Sequence, residues 1–221
     1  MQSEVKKCWQ IFHAFFKQTD VGDHSLHIKA TRGKLVLKRE SFDLLQVLEF
    51  NSFRERLPAL FSDDPNEDLS FEEFVDMYSG FSPHATFDLK SSLAFCMYDF
   101  DGDGKLNKSD ITKLLLKLHD IADDEIDHPK NKPTIARFPE MIKIVIRECN
   151  AELAQEGEED IHLPEFRKAV ARNSDFLANF TIMIEDQVII GDHDDMLDHL
   201  FSSQARSDRL CVRLSRLARC V

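Results

Sequence analysis

The sequence predicts an all-α fold: four helix–loop–helix units in two paired lobes, with an additional helical extension at the C-terminus. Three observations carry that prediction. The 221 residues read as helix and loop, with little sustained alternation of the strand type. Residues Asp99 to Asp110 read DFDGDGKLNKSD, with oxygen side chains at the first, third and fifth places (Asp99, Asp101, Asp103), glycine at the sixth (Gly104) and an apolar residue at the eighth (Leu106). That is the calcium loop of an EF-hand, except that the twelfth place is Asp110 where the pattern expects Glu. Finally, the closing half of the same motif recurs at Leu69-Ser70-Phe71-Glu72-Glu73-Phe74 and at Ile161-His162-Leu163-Pro164-Glu165-Phe166.

Helix-like stretches fall near 3–18, 40–48, 52–61, 70–79, 87–98, 107–118, 138–150 and 163–171, with a last one from about 193 to 219. The first unit is the least regular. Leu37 can serve as its eighth place and Phe42 as part of its exiting helix, but Asp20 to Gly33 offers no DxDxDG order, so it is expected to be a pairing scaffold. In the second unit Leu69 is place eight and Glu73 place twelve, which puts Ser62 first, Asp64 third, Asn66 fifth and Glu67 sixth. Without glycine at the sixth place, and with Pro65 inside, the loop lacks an easy sharp turn. It is expected to keep the fold and bind an ion weakly or not at all.

The third unit has an apolar stripe on each side of its loop: Leu89, Leu93, Phe95 and Tyr98 before it, then Ile111, Leu114, Leu115 and Leu118. His119 to Pro133 is polar, holds two prolines and reads as a linker. The fourth unit closes at Glu165, but its front is irregular. Counted back from Glu165, place one is Ala154; started at Asn150, the loop is four residues too long. Glu152, Glu156, Glu158, Glu159 and Asp160 form an acidic loop, read as solvated rather than as a working site. The expected division is an N-terminal pair over 1–80, a C-terminal pair over 81–184 and an extension over 185–221.

In the one regular loop, Asp99, Asp101 and Asp103 supply single carboxylate oxygens and Lys105 its backbone carbonyl. Asn107 ligates directly or through water, and Asp110 closes the sphere. Aspartate is one methylene shorter than the usual glutamate and is expected to give one oxygen rather than two. That favours six-coordinate Mg²⁺ and weakens Ca²⁺ binding.

Composition narrows the function further. With 40 acidic against 28 basic residues the net charge is -12, which argues against nucleic acid as the main partner. The five cysteines are scattered, without CxxC spacing, as expected of a reduced intracellular protein. No secretory signal, membrane-spanning run or Met-Gly myristoylation start is read. The nine histidines form no HExxH, and no GxSxG, phosphate loop or GxGxxG occurs, so the chain is not read as an enzyme. The extension carries Asp192, Asp194, Asp195 and Asp198 at its start and Arg206, Arg209, Arg213, Arg216 and Arg219 at its end. Leu210, Leu214, Leu217 and Val221 form a stripe beside the arginines. It reads as a plug for the protein's own groove, a weak surface for anionic lipid, or a solvated tail.

Several motifs in combination resemble the calcium- and integrin-binding proteins: the Asp-terminated loop, Asn51-Ser52-Phe53-Arg54-Glu55-Arg56, Phe61-Ser62, Leu69 to Phe74, and Ser174-Asp175-Phe176 with Phe180-Thr181-Ile182-Met183-Ile184. The resemblance is good over about 50–184 and weaker over 3–49. It implies a non-catalytic EF-hand adaptor that binds Ca²⁺ or Mg²⁺ and holds an amphipathic helix from the cytoplasmic segment of a membrane protein, such as an integrin tail or a channel subunit. It carries over Asp99, Asp101, Asp103, Lys105 and Asp110 as metal ligands. It also implies a cytoplasmic protein that reaches the plasma membrane through its partner. The expanded fourth loop and the long extension depart from the family pattern. The alternative is a regulatory subunit of an enzyme, of the calcineurin B type; that type uses several regular loops, and one regular loop favours the adaptor.

Overall fold

The computed structural model describes residues 8–12, 28–31, 34–44, 52–150, 159–173 and 180. They are mostly helical, as expected, and divide into two compact units, one reaching to Ala85 and one running from Thr86 to Phe180. The extension over 185–221, residues 151–158 with Glu152, Glu156 and Glu158, and residues 13–27 of the first hand lie outside the described residues.

In the first unit, strands β1 (Ile28–Thr31) and β2 (Lys34–Leu37) form an antiparallel hairpin, and β2 also pairs with the short β3 (Leu69–Ser70). The hairpin corrects the helix-and-loop reading of this stretch: four-residue strands are too short to establish a period of two. The register is informative. Leu37 stands opposite Leu69, so the two residues assigned to place eight meet, both fully buried. Arg39–Leu44 is a 3₁₀ turn where the sequence suggests an α-helix.

Helix α1 (Leu57–Phe61) starts with Pro58 in its first turn, where a missing N–H costs nothing, and α2 (Phe71–Gly80) begins at a capping box. There Ser70 Oγ accepts from Glu73 N while Glu73 Oε2 accepts from Ser70 N. The core of the unit is aromatic. Phe12 meets Phe71 and Phe74 edge-on with ring centroids 5.4 Å apart in both pairs, and Phe74 lies 4.9 Å from Tyr78. Such tilted pairs bring each ring's positive edge onto the next ring's face.

The second loop does make its turn without glycine. Glu67 takes φ 60°, the left-handed region that L-residues enter at a cost of about 1–2 kcal/mol. Its neighbours hold it: Asp68 Oδ1 accepts from Arg39 N at 3.2 Å, and Glu67 itself is ion-paired with Arg39 at 2.7 Å.

The second unit is built from α3 (Phe87–Tyr98), α4 (Lys108–Leu118), α5 (Lys132–Ile135), α6 (Phe138–Asn150) and α7 (Leu163–Ala171). Phe166 of α7 packs against Phe95 and Tyr98 of α3 at 5.6 and 6.2 Å, and Tyr98 also meets Phe180 at 5.8 Å. Arg167 ties the same two helices by donating to Ser92 Oγ at 2.8 Å. An isolated antiparallel bridge joins Leu106 and Ile161 through two backbone hydrogen bonds of 2.8 and 2.9 Å. Leu106 is place eight of its loop, and the count back from Glu165 makes Ile161 place eight as well.

The segment from His119 to Pro133 is an ordered crossing rather than a linker. It is pinned by buried Ile121, whose N–H donates to Leu116 O, and by buried Asn131, whose side chain donates to Glu125 O at 2.9 Å. Pro133 sits in the first turn of α5, a position that suits proline and removes its weight as a breaker. Among the described residues no helix is long and apolar enough to cross a membrane.

Candidate metal centre

Helix α3 ends where Asp99 turns extended (φ -75°, ψ 90°), and the chain then reverses through two left-handed glycines, Gly102 at φ 72° and Gly104 at φ 83°. The buried Asp99 organises that reversal. Its Oδ1 accepts from Gly102 N at 2.7 Å and its Oδ2 from Gly104 N at 2.9 Å. The next two carboxylates repeat the pattern on a smaller scale: Asp101 Oδ1 accepts from Asp103 N at 3.3 Å, and Asp103 Oδ1 from Lys105 N at 3.1 Å. The outcome is convergence. One carboxylate oxygen from each of Asp99, Asp101 and Asp103 lies within 4.8 Å of the other two. Three hard oxygens at that spacing suit a small divalent cation.

Helix α4 then starts under a second capping box. Asn107 Oδ1 accepts from Ser109 N at 2.7 Å and from Asp110 N at 3.3 Å. Asp110, only 1% exposed, answers with both oxygens: Oδ1 accepts from Phe100 N at 3.0 Å and Oδ2 from Asn107 N at 3.1 Å. The expected closing ligand therefore lies outside the group of three, and its oxygens bind the amides of places two and nine. Glu73 does the same in the second loop, accepting from Asp63 N at 2.9 Å and Ser70 N at 2.7 Å. In these two loops the twelfth residue thus closes the loop through backbone amides, once as Asp and once as Glu.

The second loop satisfies itself. Ser62 Oγ donates to Asp68 O and accepts from Asp64 N, and Asp64 Oδ1 takes both the backbone and side-chain N–H of Asn66. Among the described residues it forms no metal-ligating group. In the fourth loop, Asn150 Nδ2 donates to Asp160 O at 3.0 Å, and Glu165 Oε2 is buried without a hydrogen-bond partner.

Lys105 lies where place seven should be, but its side chain does more than point into solvent. Nζ is ion-paired with Asp160 Oδ2 at 2.5 Å, and Lys108 Nζ with Glu159 Oε2 at 2.6 Å. The sequence reading missed both pairs. The available signal was the count back from Glu165, which makes Asp160 place seven of its own loop and so a neighbour of Lys105 across the bridge.

The electrostatics of the third loop are strained in one direction. Burial pushes the Asp99 and Asp110 carboxyls up; their amide hydrogen bonds pull them down, and neighbouring carboxylates push them up again, with the net shift upward for both. The Lys105 ammonium is held above its ordinary range, chiefly by the Asp160 hydrogen bond and charge. Such a loop gains when positive charge enters among its carboxylates.

No family model matches the chain. It is 34% identical over 137 residues to calcium and integrin-binding family member 2 of Danio rerio, covering 62% of this chain and 66% of that protein. Its identity to the member 2 protein of Drosophila melanogaster is 32% over 145 residues, covering 66% and 69%. To family member 3 of Mus musculus it is 27% over 171 residues, covering 77% of this chain and 98% of that protein. The matched segment thus spans about two thirds of the length of those member 2 relatives.

Proposed function

This chain belongs to the calcium and integrin-binding family, and on that premise we propose that it is a non-catalytic EF-hand adaptor whose third loop holds one divalent cation. Asp99, Asp101 and Asp103 contribute carboxylate oxygens, Lys105 its carbonyl, and Asp110 closes the site. The observation that carries the reading is the approach of the three aspartate oxygens to within 4.8 Å on a loop turned by Gly102 and Gly104. Four EF-hand units join in two pairs, a reading supported by the meeting of Leu37 with Leu69 and of Leu106 with Ile161. The cation braces the α3–α4 pair by neutralising carboxylates that burial and mutual repulsion disfavour. Mg²⁺ is the resting ion, because the short Asp110 side chain is already committed to two amides.

The partner is an amphipathic helix from the cytoplasmic segment of a membrane protein, such as the integrin of the relatives' name. Leu118, at the end of α4, and Ile144 and Val145, on α6, are large apolar side chains left 59%, 41% and 37% exposed. They offer contact for such a helix. The protein works in the cytoplasm, at the membrane through that partner.

Calorimetric titration of the full chain with Mg²⁺ and with Ca²⁺ tests the site: one ion binds, and Asp101→Ala with Asp103→Ala abolishes it. Unchanged binding in that double variant refutes the site. A synthetic integrin-tail helix retained in Mg²⁺ and released by chelator supports the adaptor role; equal retention in both refutes coupling to the cation.

A further inference from the structure

Lys105 is an awkward residue to find at place seven. Its side chain springs from the backbone two residues after Asp103 and four after Asp101, and its flexible stem can carry an ammonium among those carboxylates. A protonated amine there is a built-in rival for the divalent cation. Yet the ammonium is not ion-paired with Asp101 or Asp103. It lies on Asp160 Oδ2 at 2.5 Å, a residue 55 positions away.

Asp160 is well fixed for that task. Its carbonyl accepts from Asn150 Nδ2 at 3.0 Å, and Ile161, the next residue, is bound to Leu106 by both hydrogen bonds of the bridge. Leu106 is itself the residue after Lys105. The bridge therefore sets the Asp160 carboxylate beside the root of the lysine. A second pair, Lys108 with Glu159 at 2.6 Å, lies alongside but is more exposed.

We propose that Asp160 is a positioning residue for the third-loop cation site, drawing the Lys105 ammonium off Asp101 and Asp103 so that a divalent cation meets no internal competitor. This rests on the reading that the third loop binds a divalent cation. The negative groups that act on Lys105 are Asp160, then Asp103 and Asp101. Removing the first leaves the two cluster carboxylates to capture it.

A double-mutant cycle on the full chain, read by calorimetry with Mg²⁺ alone and with Ca²⁺ alone at low ionic strength, tests the proposal. Asp160→Asn is expected to weaken binding roughly fivefold, the Coulomb scale of one unit charge at contact distance in a solvated loop. Lys105→Met in that background restores wild-type affinity or better, and Asp160→Glu, which keeps the pair, leaves it unchanged. Rescue by removing the lysine separates positioning from a general loss of structure, and the cycle separates it from a plain charge effect: additive charges make Lys105→Met tighten binding equally with and without Asp160, whereas positioning leaves Lys105→Met under about twofold while Asp160 is present. Wild-type binding with additive effects in the cycle overturns the proposal and leaves the metal site standing. Uptake of neither ion by the wild-type chain overturns the metal site and the proposal together. If Asp160→Asn does not fold, Lys105→Met alone decides: a change under about twofold agrees with an ammonium already held off the cluster, and a tightening of fivefold or more refutes it.

Discussion

Replacing Asp110 with Ala separates what that residue does for the fold from what it does for the cation. Its two oxygens accept from Phe100 N at 3.0 Å and Asn107 N at 3.1 Å. Alanine takes the carboxylate acceptor from both part-buried amides, which costs about 1 kcal/mol each at the low end of the usual range. Working against this, the carboxylate is itself disfavoured by burial and by the nearby Asp101 and Asp103, so its removal returns some of the loss. The net expectation in chelator is a destabilisation of about 1–2 kcal/mol, read from urea unfolding at unchanged m-value. Asp110→Asn keeps one acceptor and sheds the charge but turns an N–H donor onto the other amide, so in chelator it should lose less than alanine does, about 1 kcal/mol or under. In Mg²⁺ the two variants converge, both binding roughly tenfold or more weakly because a charged ligand is gone. An alanine variant as stable as wild type in chelator would refute the amide-anchoring argument. An Asn variant with wild-type Mg²⁺ affinity would remove Asp110 from the ligand set.

Four further outcomes follow from the same geometry. Gly104→Ala forces a side chain into φ 83° and should cost about 1 kcal/mol in chelator and weaken the cation site, checked by thermal melts and titration. Leu69→Ala empties a fully buried position opposite Leu37 and should lose about 2–5 kcal/mol in denaturant unfolding. Glu67→Gly removes a left-handed strain at the cost of a half-exposed ion pair with Arg39, so stability should rise by up to about 1 kcal/mol; a clear loss would show that the pair outweighs the strain. For pH, the Asp99 and Asp110 carboxyls are raised in the folded chain, so the metal-free fold carries a penalty above those raised values that fades as pH falls toward the ordinary carboxylate range. Protons compete with the cation in the same window, so titrations at falling pH should show affinity lost before the ordinary carboxylate range is reached; constant affinity down to that range contradicts it.

The long helices were legible because their signals are local. Phe87–Tyr98, Phe138–Asn150 and Leu163–Ala171 occupy the stretches that apolar spacing marks out, and Thr86 caps the first of them by accepting from Leu89 N. The pairing of 28–31 with 34–37 was not legible, since each strand is four residues long. The crossing after α4 looked like a linker because polar residues and two prolines dominate it. Its order comes from two side chains, Ile121 and Asn131, whose burial no local pattern reveals.

The candidate site divides along the same line. The oxygen donors, the glycines that turn the loop and the short twelfth side chain are properties of twelve consecutive residues, so the order of the chain by itself determined them. Two things only the tertiary structure decided. One is that Asp110 spends both oxygens on amides at places two and nine. The other is that the Lys105 charge is taken up by Asp160, 55 residues away. The physical reason is path for the first, since the Asp110 bonds exist only once the loop has closed on itself, and reach for the second. Ligand identity and φ preference depend on a residue and its immediate neighbours, whereas the partner of a charge depends on which distant loop the Leu106–Ile161 bridge sets beside it.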